Sequence, residues 1–266
     1  MKRFIPFVKS DPVVAVIRLN GAIMASPRGG LSDAAVATAI ERAFRKGKPA
    51  AVALSINSPG GSPVQSSLIA ARIRRLADEK EVPVHAFVED VAASGGYWLA
   101  CAADRIWADH SSILGSIGVI SASFGFHEAL QKVGIERRVH TAGEDKSILD
   151  PFRPERAEDV ERLKDLQSDI HDAFKAHVAS RRGDRLSTDK DLFTGAFWTG
   201  AKAVDLGLAD GIGHLVPKMK ELHGDKTRFA VYGPKRSLWQ RFGAQIAQDF
   251  GRGIEEQALW ARYGLS

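Results

Sequence analysis

Three features of this chain predict an α/β fold with mainly parallel strand pairing. Short, β-branched apolar runs alternate with helix-period stretches through the first two-thirds of the sequence. Two of those runs end in glycine-rich loops that open into a helix. The length, 266 residues at 44% hydrophobic and 26% charged, is enough to bury a substantial core.

The elements follow in order. Residues 13–19 form a β-rich run, and Ser32-Asp33 read as an N-cap before a helix ending near Lys46-Gly47. Residues 51–56 are a short buried strand that stops at Asn57-Ser58-Pro59-Gly60-Gly61-Ser62-Pro63. A helix is expected over 64–80 and a strand over 83–88, after which Ser94-Gly95-Gly96 opens an apolar helix. Strands are expected over 105–108, 113–120 and 135–141, with a helix over 124–133. A long helix over 155–181 stops at Gly183, and two short helices fall within 197–222. Residues 228–232 read as the last strand. Gly233-Pro234 then marks a boundary, dividing the chain into a domain over 1–232 and a helical extension over 233–266. In the extension Leu238, Phe242, Ile246, Phe250 and Ile254 recur every four residues, with Trp260 on the same side, as on an amphipathic helix.

Charge and cysteine content narrow the function classes. Cys101 is the single cysteine, so no internal disulfide is available; its apolar surroundings mark it as a buried structural thiol in a reducing compartment. The net charge of +5 comes from basic residues dispersed among acidic ones, which reads as a solvated surface rather than a nucleic-acid site. No run approaches the roughly 20 apolar residues of a membrane span, and the apolar part of residues 1–9 is short and carries Pro6. A cytoplasmic protein, or one attached peripherally to a membrane surface, is expected.

The chemistry-bearing residues cluster in the two glycine loops, Ser58-Pro59-Gly60-Gly61 and Ala93-Ser94-Gly95-Gly96-Tyr97. A serine at a strand-to-helix turn exposes its hydroxyl beside free backbone N–H groups. Two such groups aimed at one point make an oxyanion hole. The candidates are Gly95 with Gly61, or alternatively Gly60. The pattern G-x-S-x-G is absent, since Ala92-Ala93 precede Ser94. None of the eight histidines carries a local motif: His110 follows Asp109 in a polar turn, and His171 and His177 have the wrong spacing for a zinc pair. No metal or other cofactor is expected, and no G-x-x-x-x-G-K-[ST] occurs to bind ATP. A lysine is the alternative base if burial or nearby positive charge keeps it neutral. Lys146, followed by Ile148, Leu149 and Phe152, is the candidate, although by itself it reads as an ordinary loop lysine.

Five motifs taken together carry a resemblance. Asn57-Ser58-Pro59-Gly60-Gly61, Ala93-Ser94-Gly95-Gly96-Tyr97, Gly115-Ser116-Ile117-Gly118-Val119, the stretch from Lys146 to Glu155, and Thr199-Gly200 through Leu206-Gly207-Leu208 to Asp210 occur in order. Over residues 13–222 the chain resembles the signal peptide peptidase A family of serine peptidases. The resemblance implies a crotonase/Clp-like β-β-α spiral and a Ser-Lys dyad with Ser94 as nucleophile and Lys146 as general base. It further implies Ser116 as the hydroxyl that orients the lysine, and Gly61 and Gly95 as oxyanion donors. The implied partners are peptides or unfolded polypeptides, signal-peptide remnants among them, and further copies of the chain in a homo-oligomeric ring. Many members carry an N-terminal membrane anchor that is not seen here; the extension is then expected to pack on a neighbouring subunit, on a membrane surface, or within its own chain. Rival readings are an acyl-CoA hydratase or thioesterase on the same fold, a non-catalytic membrane-associated scaffold, and a Ser-His-Asp peptidase of the Clp type.

Overall fold

The computed structural model describes residues 11–25, 30–45, 48–233 and 257–265. The reading of residues 1–9, the helix end at Lys46-Gly47 and the apolar face from Leu238 to Ile254 lie outside them.

Among the described residues eight strands form one sheet. They are β1 (Val13–Asn20), β2 (Ala51–Ser58), β3 (Val84–Ala93), β4 (Arg105–Ala108), β5 (Ile113–Gly115), β6 (Phe197–Thr199), β7 (Gly211–Ile212) and β8 (Arg228–Tyr232). The main path runs β6-β5-β3-β2-β1-β8, and β4 pairs with both β3 and β7. Every pairing is parallel except β5 with β6. The fold is mixed α/β with a mostly parallel sheet.

The helices are α1 (Asp33–Arg45), α2 (Pro63–Lys80), α3 (Gly95–Ala100), α4 (His127–Lys132), α5 (Ala157–Arg182), α6 (Gly200–Asp205) and α7 (Leu215–His223). Strand β2 is buried at every position except Asn57, which is why its sequence reads as a continuous apolar run rather than an alternation. Val14, Val16, Ala51, Ala53 and Phe87 meet Met219 of α7 on one face of the sheet. Side chains alternate along a strand, so the fully buried Ile17, Leu19, Leu54 and Ile56 fill the opposite face. Helix α1 packs on β1, and α3 packs on β2 and β3. Helix α2 begins with Pro63 at its first turn and with Ser62 Oγ accepting the Gln65 N–H at 3.4 Å.

The chain divides into two compact units, residues 1–117 with 175–266, and residues 118–174. The first is tied together by a buried ion pair at strand β4. Arg182 meets Asp210 Oδ2 at 2.7 Å and donates to the Gly207 carbonyl, while the same Asp210 oxygen accepts the Ile106 N–H at 2.7 Å. The second unit contains α4, a 3-10 turn at Glu144–Ser147 and the first part of α5. Its aromatics Phe124, Phe126 and Phe152 cluster, with the Arg137 guanidinium over the Phe152 ring and paired to Asp150 at 2.8 Å.

Several boundaries differ from the sequence reading. Strand β3 continues five residues past the expected Val88 because Val91, Ala92 and Ala93 pair with β5. The strand expected over 113–120 stops at Gly115, where Gly115 and Ser116 both turn to positive φ. Residues 135–140 form no strand; they are mostly exposed and no neighbouring strand pairs with them. Helix α4 is shorter than the expected 124–133. The two short strands β6 and β7 were not visible in the pattern, since runs of two or three residues have no period to read. No helix among the described residues is long and apolar enough to cross a membrane.

Candidate active site

The ends of β2 and β3 bring the two glycine loops side by side. Their register shifts between Ile56 and Ser58, so that β3 carries extra residues there. Asn57 stitches this bulge: its amide donates to Asp90 at 2.7 Å, and its carbonyl oxygen accepts the Val91 N–H at 3.2 Å.

The first loop is held by hydrogen bonds to the segment after β1. Ser58 Oγ donates to the Gly21 carbonyl at 2.8 Å and accepts the Gly60 N–H at 3.3 Å. The Ile23 N–H donates to the Gly60 carbonyl, and the Ser62 N–H to the Ile23 carbonyl, each at 2.8 Å. Gly61 has φ +138, and a Cβ there would strike the Ile23 carbonyl oxygen, so only glycine fits. Because the Gly60 N–H is spent on Ser58, Gly61 is the donor left over: among the described residues its N–H has no acceptor.

The second loop turns at Ser94, which has φ 51 and ψ −121. A non-glycine residue with such a backbone is uncommon and is held there by its surroundings. Here the Ser94 N–H donates to the Gly115 carbonyl at 2.8 Å, and the Ser94 carbonyl accepts from Tyr97 and Trp98 to start α3. Ser94 is half-buried while all of α3 behind it is buried. The Gly95 N–H, at the first position of α3, has no acceptor among the described residues. The two loops touch: a Cβ on Gly60 would lie 2.8 Å from both the Gly95 nitrogen and Ser94 Cβ, and a Cβ on Gly95 would lie 3.4 Å from the Gly61 nitrogen. A half-buried serine thus turns next to two backbone N–H groups without acceptors among the described residues, the arrangement an acyl-transfer site needs.

Ser116 follows directly on β5. Ala93 pairs with Gly115, so Ser94 and Ser116 are the next residues along two parallel strands, and both have φ near 50°. Ser116 is buried and its N–H donates to the Ala196 carbonyl at 2.7 Å. Lys146 belongs to the second unit, where it is exposed in the 3-10 turn Glu144–Ser147. The structure therefore gathers Gly61, Ser94, Gly95 and Ser116 in the first unit and carries Lys146 in the second.

A residue the sequence reading did not single out also stands here. Tyr263 is 6% exposed and packs on Val91 and Ala93 of β3, with its ring edge against Phe197 at 5.2 Å. The apolar face ending at Trp260 was the available signal, since Trp260 packs on the same cluster. The described part of the extension thus packs within its own chain.

His110 is exposed in a turn, as the polar-turn reading has it. Asp109 pairs with His214 at 2.9 Å, not with its neighbour His110. The pair lines a pocket of about 650 Å³ with Ser111 and Ser112. Ser112 Oγ is committed to the carbonyls of Val88 and Glu89, so it offers no free nucleophile. The Ser111 N–H and then His214 hold the Asp109 carboxyl below its ordinary value. Cys101 is fully buried, and burial pushes its thiol up to about 12, which makes it inert. Among the described residues no cluster of three or more His, Cys, Asp or Glu could hold a metal ion.

Comparison with known proteins places these features. The family model for peptidase family S49 matches residues 77–226, more than half of the chain and including Ser94, Ser116 and Lys146. A protein of Brucella melitensis named Na(+)/H(+) antiporter NhaA is 51% identical over all of this chain, which spans 39% of that protein. The chloroplast serine protease SPPA of Arabidopsis thaliana is 32% identical over 76% of the chain and 31% of its own length. A candidate protease of Synechocystis, slr0021, is 32% identical over 95% of the chain and 92% of its own length. The chain belongs to peptidase family S49, the signal peptide peptidase A type of serine peptidases.

Proposed function

We propose that the chain is an ATP-independent serine endopeptidase acting through a dyad of Ser94 and Lys146. Neutral Lys146 takes the proton from Ser94 as its oxygen attacks a peptide carbonyl, and the N–H groups of Gly61 and Gly95 receive the oxyanion. Protonated Lys146 gives its proton to the leaving amine, and water activated by the same lysine hydrolyses the acyl-enzyme. Ser116 orients the amine. The observation that carries this reading is the turned backbone of Ser94, wedged against Gly60, with the N–H groups of Gly95 and of the adjoining Gly61 unspent among the described residues.

The substrates are signal-peptide remnants or other unfolded polypeptides, which lie extended along the strand edge leading to Gly61. The working form is a homo-oligomeric ring. In support, the second unit leaves Ile120, Phe124, Val133 and Ile135 more than half exposed, as an assembling surface does. The lysine then serves the serine of its own chain or of a neighbouring copy, and contact with a membrane surface is compatible with the basic charge.

The test is hydrolysis of a fluorogenic peptide panel by the wild type and by Ser94→Ala, with particle mass measured in parallel. Cleavage lost in the variant at unchanged mass is the expected result. Equal cleavage by both removes Ser94 as nucleophile.

A further inference from the structure

Ser94 lies between two walls. On one side is the loop Pro59-Gly60-Gly61, whose Gly60 abuts Ser94 Cβ. On the other is the end of β5, where Gly115 accepts the Ser94 N–H and Ser116 follows. One side chain touches both walls. The Tyr263 hydroxyl donates toward Ser116 Oγ at 3.2 Å and lies 3.4 Å from the Pro59 carbonyl oxygen. Its ring covers Val91 and Ala93, the last stretch of strand before Ser94. The neighbours of Tyr263 follow the same surface: Trp260 and Leu265 pack on this cluster, and Leu265 also lines the pocket beside Phe87, Val88 and Ile113. A phenol is thus hydrogen-bonded to the serine that the dyad reading reserves for a lysine amine.

We infer that segment 257–265 is an intramolecular ligand of the Ser94 site, with the Tyr263 hydroxyl occupying the place on Ser116 that the base must take. The inference rests on the proposed dyad for its meaning, but the occlusion itself is a matter of geometry. A serine hydroxyl has one proton and two lone pairs, and a buried one has little room for a second large partner. While Tyr263 holds Ser116, an amine does not reach the same oxygen from the same side, so the segment withdraws before the dyad assembles. The contacts favour such an exchange. Both distances are long for O–H···O bonds, and the ring is held mainly by apolar packing, which a peptide with an aromatic side chain can replace.

The experiment reads occlusion without using catalysis. In full-length Ser94→Cys protein, the rate at which iodoacetamide alkylates the introduced thiol is compared with and without Tyr263→Ala. The buried Cys101 serves as the internal reporter of global unfolding. Loss of Tyr263 is expected to speed alkylation at position 94 by about fivefold or more, the scale set by losing one or two weak hydrogen bonds and their packing. Tyr263→Phe, which keeps the ring on Phe197, gives a smaller rise and carries the comparison if the alanine variant exposes Cys101. A synthetic peptide of residues 257–265 slows alkylation of the Tyr263→Ala protein again. Equal rates in all three proteins, with no effect of the peptide, overturn the inference.

Peptide cleavage measured on the proteins that keep Ser94 separates the two readings. Faster alkylation without cleavage by any variant keeps the occlusion and removes the peptidase assignment. Cleavage by the wild type with alkylation unmoved by Tyr263 keeps the peptidase and removes the occlusion.

Discussion

The two units of this molecule are built to different standards. In the first, the residues around Ser94 are fixed from all sides: Gly61 against Ile23, Gly95 against Ser66, Gly96 against the Ser58 carbonyl, and Ser94 itself bonded to Gly115. In the second, Phe124 is 80% and Ile120 63% exposed, and Lys146 stands in solvent on a single 3-10 turn. The difference teaches that the proposed nucleophile and its proposed oxyanion donors are organised by packing within one chain, whereas the segment bearing the proposed base keeps its apolar surface unburied. On the proposed function, a further copy of the chain covers such a surface and orders the proposed base.

The comparison is open to attack at several points. The largest effect is expected from removing either chemical group: Ser94→Ala and Lys146→Ala each lower kcat/KM on a fluorogenic peptide by about 10⁴-fold or more. A Lys146 variant that retains most activity removes Lys146 as the proposed base. Next is Gly61→Ala, which forces a Cβ against the Ile23 carbonyl and displaces one oxyanion donor. A loss of about 10²–10³ in kcat is expected, the usual consequence of losing such a donor.

Asp210→Asn probes the rigidity of the first unit. It leaves Arg182 buried and uncompensated, and denaturant unfolding is expected to show about 3 kcal/mol of lost stability. Phe124→Ser with Phe126→Ser tests the second unit, and is expected to lower particle mass in analytical ultracentrifugation without shifting the unfolding of the first unit. Unchanged mass would count against an assembly held by these phenylalanines.

The smallest effect is on pH dependence. Burial pushes His85, His177 and His223 below their ordinary value of 6.5. Their neutral forms suit the fold, since the Trp107 N–H donates to His85 Nδ1. Protons therefore bind the unfolded chain first, so stability declines as the pH falls below 6.5. A second decline follows at lower pH. Burial opposes the charge of Asp210, but the hydrogen bonds from Arg182 and the Ile106 N–H outweigh it and hold the carboxyl below 3.8. Stability from Asp210 is present above that value and is lost as the pH drops through the lower folded value. Thermal unfolding followed from about pH 8 to about pH 3 checks both limbs; a flat profile above about pH 4 would mean that the histidines are not held neutral.

Much of the first unit was legible in the sequence. The runs at 13–19, 51–56, 105–108 and 228–232 and the helices capped at Ser32-Asp33 and expected over 64–80 carry their own period, caps or apolar continuity, so local chemistry suffices to place them. The glycine pairs 60–61 and 95–96 announced close backbone approach, and the family motifs singled out Ser94. The misses fall where no local signal exists. The strand expected over 135–141 has β-rich residues but no partner, and β6 and β7 exist only because a neighbouring strand receives them.

The sequence by itself therefore determined the α/β layering and the strand-to-helix turn at Ser94, because patterning and glycine chemistry act over a few residues, while the candidate dyad came from the resemblance of five ordered motifs to a known family. Only the tertiary structure decided that Gly61 rather than Gly60 keeps a free N–H, that Asp109 turns to His214, and that Tyr263 returns across 147 positions of chain to sit on Ser116. These are contacts between distant segments, and no residue pattern encodes which side chain a fold will bring to a given oxygen.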